Sequence, residues 1–125
     1  MKALIVDDSK MLRLHLGRMM QAMGWSISEA ENGRHALEML RGDEEFTLAL
    51  MDVNMPEMNG IECVCRLRTE LQHKAKVMMV TTEADLHLIA GVLEDGADEF
   101  LMKPFSPQSL REKLQLMGFE MALKH

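Results

Sequence analysis

With 125 residues, 47% hydrophobic and 27% charged, the chain is long enough for one core but not two, so a single domain over residues 1–125 without an output domain is expected. A formal net charge of -6 argues against binding to a nucleic-acid backbone, and no segment has the uninterrupted apolar length of a membrane span. The apolar start, Met1 to Val6, is broken at once by Asp7 and Asp8, too short for a signal peptide, so cytoplasmic residence is the default.

Ala3 to Val6 is a short apolar strand that stops at Asp7-Asp8. From Ser9 the period changes: Leu12, Leu16, Met19 and Met23 fall on one helical face, so this methionine stripe belongs to the core, and Gly24 closes the helix. Ser26 to Ala30 is a weaker strand, followed by Asn32-Gly33, a helix to about Leu40 and a stop at Gly42. Thr47 to Met51 is the central strand. Leu48-Ala49-Leu50-Met51 is apolar at every position, which suits a strand buried on both faces of a parallel sheet. It ends on Asp52, ahead of the turn Val53-Asn54-Met55-Pro56. Next, Asn59-Gly60-Ile61-Glu62 has the spacing of a helix cap, and Ile61, Val64, Cys65 and Leu71 supply the buried stripe.

Lys76 to Val80 is the fourth strand, ending at Thr81-Thr82. Leu86, Ile89, Ala90 and Leu93 form an i, i+3, i+4, i+7 set for a fourth helix, stopped by Gly96. Asp98 to Met102 is the fifth strand, ending at Lys103-Pro104. Ser106-Pro107 places an N-cap and a first-turn proline before the last helix, carried by Leu110, Leu114 and Met117. Residues 119–125 either extend that helix or are the stub of a linker. Such alternation with short connections means an α/β fold: a doubly wound, five-stranded parallel sheet with helices on both faces and right-handed crossovers.

Cys63 and Cys65 are two apart on a helix, so they can neither bond each other nor share a metal, and they read as small core or surface residues in a reducing compartment. His15, His35, His73, His87 and His125 show no ligand spacing and read as surface residues. Fourteen Met and four Phe with no Tyr suggest a pliable core. No glycine-rich nucleotide loop occurs.

Four strands end on residues able to do chemistry: Asp7 and Asp8, then Asp52, Thr81 and Lys103. Parallel strands put these on one edge of the sheet. If the strands are ordered 2-1-3-4-5, Asp7, Asp8 and Asp52 meet in the crevice where the connections diverge. Two carboxylates about 5 Å apart, at an effective dielectric of about 20, repel by about 3 kcal/mol, which a divalent cation would relieve. A few hard oxygen ligands with room for waters suit Mg2+ shared with a phosphate. A carboxylate nucleophile, a metal, a hydroxyl and an ammonium are the positioning and electrostatic parts of phosphoryl transfer.

Four segments carry a resemblance to a known family: Val6-Asp7-Asp8-Ser9, the run from Met51 to Gly60, Val80-Thr81-Thr82-Glu83 and Met102-Lys103-Pro104-Phe105. They resemble the acidic pair, phosphoacceptor loop, hydroxyl strand end and lysine-proline turn of response-regulator receiver domains, closest to the stand-alone chemotaxis type. The likeness spans residues 2 to 118. The order 2-1-3-4-5 of the flavodoxin-like class is known for that family, so it comes with the resemblance. The resemblance implies that Asp52 accepts a phosphoryl group from a phosphohistidine. Asp8, Asp52 and the backbone carbonyl of Asn54 would hold Mg2+ directly, and Asp7 through a water. Thr81 and Lys103 would bind the phosphoryl oxygens, and the Lys103-Pro104 bond would be cis. Thr81 and Phe100 would form the switch, and Asn54 and Glu83 would tune dephosphorylation. Phe100 lacks the hydroxyl of a tyrosine, which bears on partner recognition.

The resemblance further implies a phosphoacceptor signalling domain, not a turnover enzyme, that assists its own phosphoryl transfer and dephosphorylation. Its partners would be a sensor histidine kinase or phosphotransfer protein and a downstream effector meeting the face of the fourth helix, fifth strand and fifth helix. It would bind no nucleic acid or membrane and be a monomer, or a dimer once phosphorylated. Taken singly, the Asp pair reads equally as a turn or cap, Thr81 as an N-cap and Lys103 as a surface lysine; their joint order favours the chemistry. The alternatives are a receiver cut from a larger regulator, a phosphorylation-independent adaptor, and a Mg2+ phosphohydrolase. Phosphohydrolases of the haloacid dehalogenase type place two acids one residue apart after the first strand; here they are adjacent.

Overall fold

The computed structural model describes residues 1–94 and 96–119. Five parallel strands, β1 (Lys2–Val6), β2 (Ser26–Ala30), β3 (Phe46–Asp52), β4 (Lys76–Thr81) and β5 (Glu99–Met102), pair in the order β2-β1-β3-β4-β5. They alternate with α1 (Lys10–Ala22), α2 (Gly33–Leu40), α3 (Gly60–Thr69), α4 (Ile89–Glu94) and α5 (Pro107–Leu116). The doubly wound sheet and its order are as expected.

Side chains that alternate along each strand divide the core in two. Leu48 and Leu50 of β3 pack with Leu16 and Met20 of α1 and Leu110 and Leu114 of α5. Ala49 and Met51 pack on the other face with Leu37, Val64, Leu67, Ile89 and Val92 from α2, α3 and α4. The apolar run of β3 is thus shut from water on both sides, and its end carries Asp52 straight out of the core. Met20, Met23, Met51, Met78 and Met79 are buried as a pliable core requires, whereas Met11, on the outer face of α1, is 76% exposed.

Three expectations are corrected. The buried face of α3 is Gly60, Cys63, Val64 and Leu67, with Cys65 exposed and Ile61 and Leu71 only half-buried. The cause lies at Gly60: a Cβ there would come 2.2 Å from the carbonyl oxygen of Asp52, so Gly60 must face the sheet, and this sets the rotation of the helix. The regular fourth helix is also shorter than its pattern. Glu83–Leu88 is a 3-10 turn, and only Ile89–Glu94 is α-helical. Leu86 is half-buried, Ala90 faces solvent, and Gly91 weakens the helix by about 1 kcal/mol, so little packing rewards a full α turn. Finally, His73 is buried, 3% exposed, not a surface residue. His15, His35 and His87 are exposed. His125 and the tail beyond Phe119 lie outside the described residues.

Candidate functional site

β1 leaves the sheet at Asp7, whose N–H donates to the Ala30 carbonyl at 3.1 Å. Asp7 Oδ1 accepts from the Ser9 N–H at 2.8 Å, and Ser9 Oγ then caps α1 by accepting from the Leu12 N–H at 3.2 Å. Arg13 reaches back from α1, donating to the Asp7 carbonyl at 2.7 Å and to Glu29 at 2.9 Å. One oxygen of Asp7 therefore serves the turn, and its Oδ2 lies 3.7 Å from Lys103 Nζ. The turn reading of the acid pair holds for Asp7, and its second oxygen is left facing the cluster.

Asp52 closes β3, and the loop after it is held from two sides. The Val53 N–H donates to the Val80 carbonyl at 3.1 Å, and the Gly60 N–H to the Val53 carbonyl at 2.9 Å. Asp52 Oδ1 accepts from Lys103 Nζ at 3.2 Å. Lys103 follows β5 across a cis bond to Pro104, and its own N–H donates to the Thr81 carbonyl at 2.6 Å. Carboxylate oxygens of Asp7, Asp8 and Asp52 lie within 4.8 Å of one another. Three such oxygens are the donor set that hard divalent cations take.

The electrostatics are those of an under-neutralised cluster. Burial pushes Asp7 above the ordinary carboxylate range, while the Ser9 hydrogen bond and the Lys103 charge pull it back. Burial also raises Asp52, the charge of Asp7 adds to the effect, and Lys103 opposes it. Only 6% of either residue is exposed. One ammonium faces the two buried acids, and the exposed Asp8 adds a third negative charge beside them.

Asp7, Asp8, Asp52 and Lys103 are brought together; the other residues expected at the site stand around them. Thr81 is buried at the end of β4, its hydroxyl donating to the Thr82 carbonyl at 3.2 Å and making no hydrogen bond to the carboxylates. Asn54 is exposed on the loop after Asp52, and Glu83 is exposed at the start of the 3-10 turn. Phe100 is half-buried on β5, packed against the α4 side of the core, with Lys113 Nζ 4.3 Å from its ring centroid. A hollow of about 170 Å³ beside Lys103 is lined by Leu12, His15, Pro104 and Phe105.

Sequence reasoning missed Gly60 as the residue that lets α3 press against the Asp52 backbone. It also missed Asp85, which accepts from Asn54 and Thr82. Thr82-Glu83-Ala84-Asp85 has the spacing of a cap with an acid three residues on, a signal that could have found it. Among the described residues, no helix is long and apolar enough to cross a membrane.

The family described as the response regulator receiver domain matches residues 3–115. A chemotaxis protein CheY homolog of Campylobacter jejuni is 38% identical over 117 residues, 92% of this chain and 90% of the relative. Chemotaxis protein CheY1 of Helicobacter pylori is 35% identical over 119 residues, 94% of this chain and 96% of the relative. The crystal structure of Vibrio cholerae chemotaxis protein CheY4 superposes with a TM-score of 0.83 at 35% identity, covering 92% of this chain and 96% of that one.

Proposed function

The chain belongs to the response regulator receiver domain family, and on that premise we propose that it is a phosphorylation-driven switch whose phosphoacceptor is Asp52. The observation that carries this reading is the Asp52 carboxylate at the sheet edge, with Asp7 and Asp8 oxygens inside 4.8 Å and an ammonium at 3.2 Å. An Asp52 oxygen attacks the phosphorus of a phosphohistidine on a sensor kinase or phosphotransfer protein. The P–N bond breaks, its electron pair returns to the imidazole, and an acyl phosphate is left on Asp52. Lys103 turns its ammonium to the phosphoryl oxygens, and the Thr81 hydroxyl exchanges the Thr82 carbonyl for the same oxygens. Asn54 and Glu83 flank the group and tune its hydrolysis.

Asp8, Asp52 and the Asn54 carbonyl would hold Mg2+, with Asp7 acting through a water. When bound, the ion neutralises charge on the transferring phosphoryl group. Movement of Thr81 leaves room behind it for Phe100 to turn inward, which alters the face of α4, β5 and α5 offered to a downstream effector. The setting is a two-component pathway, with chemotaxis the output suggested by the names of its relatives.

The test is intact mass after incubation with Mg2+ and a small acyl phosphate. Wild-type protein gains one phosphoryl mass, and Asp52→Asn or protein with chelator gains none. Equal gain by Asp52→Asn overturns the assignment. Unchanged effector affinity with and without a phosphoryl mimic favours the adaptor reading instead.

A further inference from the structure

Asp85 stands on the 3-10 turn, half-buried, and its Oδ2 accepts two side-chain hydrogen bonds at once, from Asn54 Nδ2 at 3.0 Å and from Thr82 Oγ1 at 3.2 Å. Its own N–H donates to the Thr82 carbonyl at 3.1 Å, which ties its backbone to the start of the turn. An ionised carboxylate only accepts, so the amide of Asn54 must turn its NH2 toward Asp85. That leaves Asn54 Oδ1 as an acceptor, and among the described residues nothing donates to it. Asn54 is two residues beyond Asp52, on the loop that carries the phosphoacceptor.

We propose that Asp85 is a positioning residue for hydrolysis of the acyl phosphate. By holding Asn54 in one rotamer and one amide orientation, it presents Oδ1 as the acceptor that orients the attacking water. In that step the water oxygen bonds to phosphorus, the bond from phosphorus to the Asp52 oxygen breaks, and its electron pair returns to the carboxylate. The water protons leave on the released dihydrogen phosphate. Asp85 makes no contact with the reacting atoms; it acts through Asn54. The inference rests on the phosphoacceptor reading and extends it to the residue that sets how long the modified state lasts. It also ties that lifetime to the 3-10 turn, because the same carboxylate pins the turn to the loop.

The experiment loads the protein with a small acyl phosphate and Mg2+, removes the donor, and follows loss of the phosphoryl mass. Asp85→Ala is expected to load to the same extent and to decay roughly fivefold to tenfold more slowly, within the effect that loss of positioning can have. Asp85→Asn keeps an oxygen able to accept from Asn54 and is expected to recover most of the wild-type rate. In an Asn54→Ala background, Asp85→Ala is expected to add nothing. An unchanged or faster decay in Asp85→Ala, an additive effect in the double variant, or an Asp85→Asn rate as slow as that of Asp85→Ala overturns the proposal. Failure of every variant, wild type included, to take up phosphoryl mass instead overturns the phosphoacceptor reading and takes this inference with it.

Discussion

The two edges of the sheet are built on opposite principles. At the edge where the strands begin, the buried and half-buried side chains of His73, Arg68 and Lys2 are matched. His73 lies 2.7 Å from the Asp43 carbonyl through Nε2 and accepts from the Ala75 N–H through Nδ1 at 3.0 Å, so one neutral tautomer serves both. Arg68 donates to the carbonyls of Gly96 and His73 and to Asp98, which also accepts from the Val77 N–H. Lys2 pairs with Asp43 at 3.0 Å. At the edge where the strands end, three acids crowd together and one ammonium, that of Lys103, pairs with two of them. The first edge is knit by matched pairs, and the second keeps two buried acids whose charge costs stability, as a functional site would.

The largest expected effect breaks that division at the crowded edge: Asp52→Asn loses phosphoryl uptake completely while remaining folded, as intact mass and circular dichroism together will show. His73→Ala breaks it at the other edge. A half-buried carbonyl and a buried N–H lose their partner, which costs about 2–4 kcal/mol in denaturant unfolding while the folded protein still takes up phosphoryl.

Smaller, and sharper as a test of the contrast, is the pH dependence of the metal-free protein. Asp7 and Asp52 have raised values in the folded state, so the folded chain holds their protons more tightly than the unfolded chain. Their contribution to stability therefore falls as pH rises from the ordinary carboxylate value through the raised ones. Asp43 behaves in the opposite sense. Its value is lowered by the hydrogen bond from Lys2, so the stability it contributes is present above the ordinary carboxylate value and is lost as pH falls through the folded one. Asp7→Asn is expected to raise neutral-pH stability by about 1 kcal/mol without Mg2+ and to flatten the acidic part of the profile, as chemical denaturation at several pH values will show. Least disruptive is thiol labelling at neutral pH. Burial pushes the Cys63 thiol up to about 12, whereas Cys65 is exposed, so one carbamidomethyl group is expected in native protein and two in denaturant.

What could be read from the chain was what local pattern encodes. The apolar run Leu48 to Met51 of β3 ending on Asp52, and the residues closing β1, β4 and β5, are each visible within a few positions, and topology alone then delivers them to one edge. His73 and Arg68 were not legible in this way. Apart from the local bonds to each other and to Ala75, their partners lie about thirty residues away, at Asp43, Gly96 and Asp98, and nothing in the neighbouring sequence points to them. The rotation of α3 failed for a related reason, since Cys65 matches the i, i+4 spacing from Ile61 as well as any apolar residue. Only the approach of Gly60 to the Asp52 backbone decides between the faces. The fourth helix misled because periodicity reports which residues can share a face and says nothing of whether the neighbouring core has room to receive them.

That approach of Gly60 carries one more consequence. With α3 braced against the Asp52 carbonyl, the backbone beneath that side chain has no room to move toward the helix. On the proposed reading, a group added to Asp52 is expected to be accommodated sideways, past Thr81 toward the 3-10 turn from Glu83 to Leu88, instead of downward into the helix.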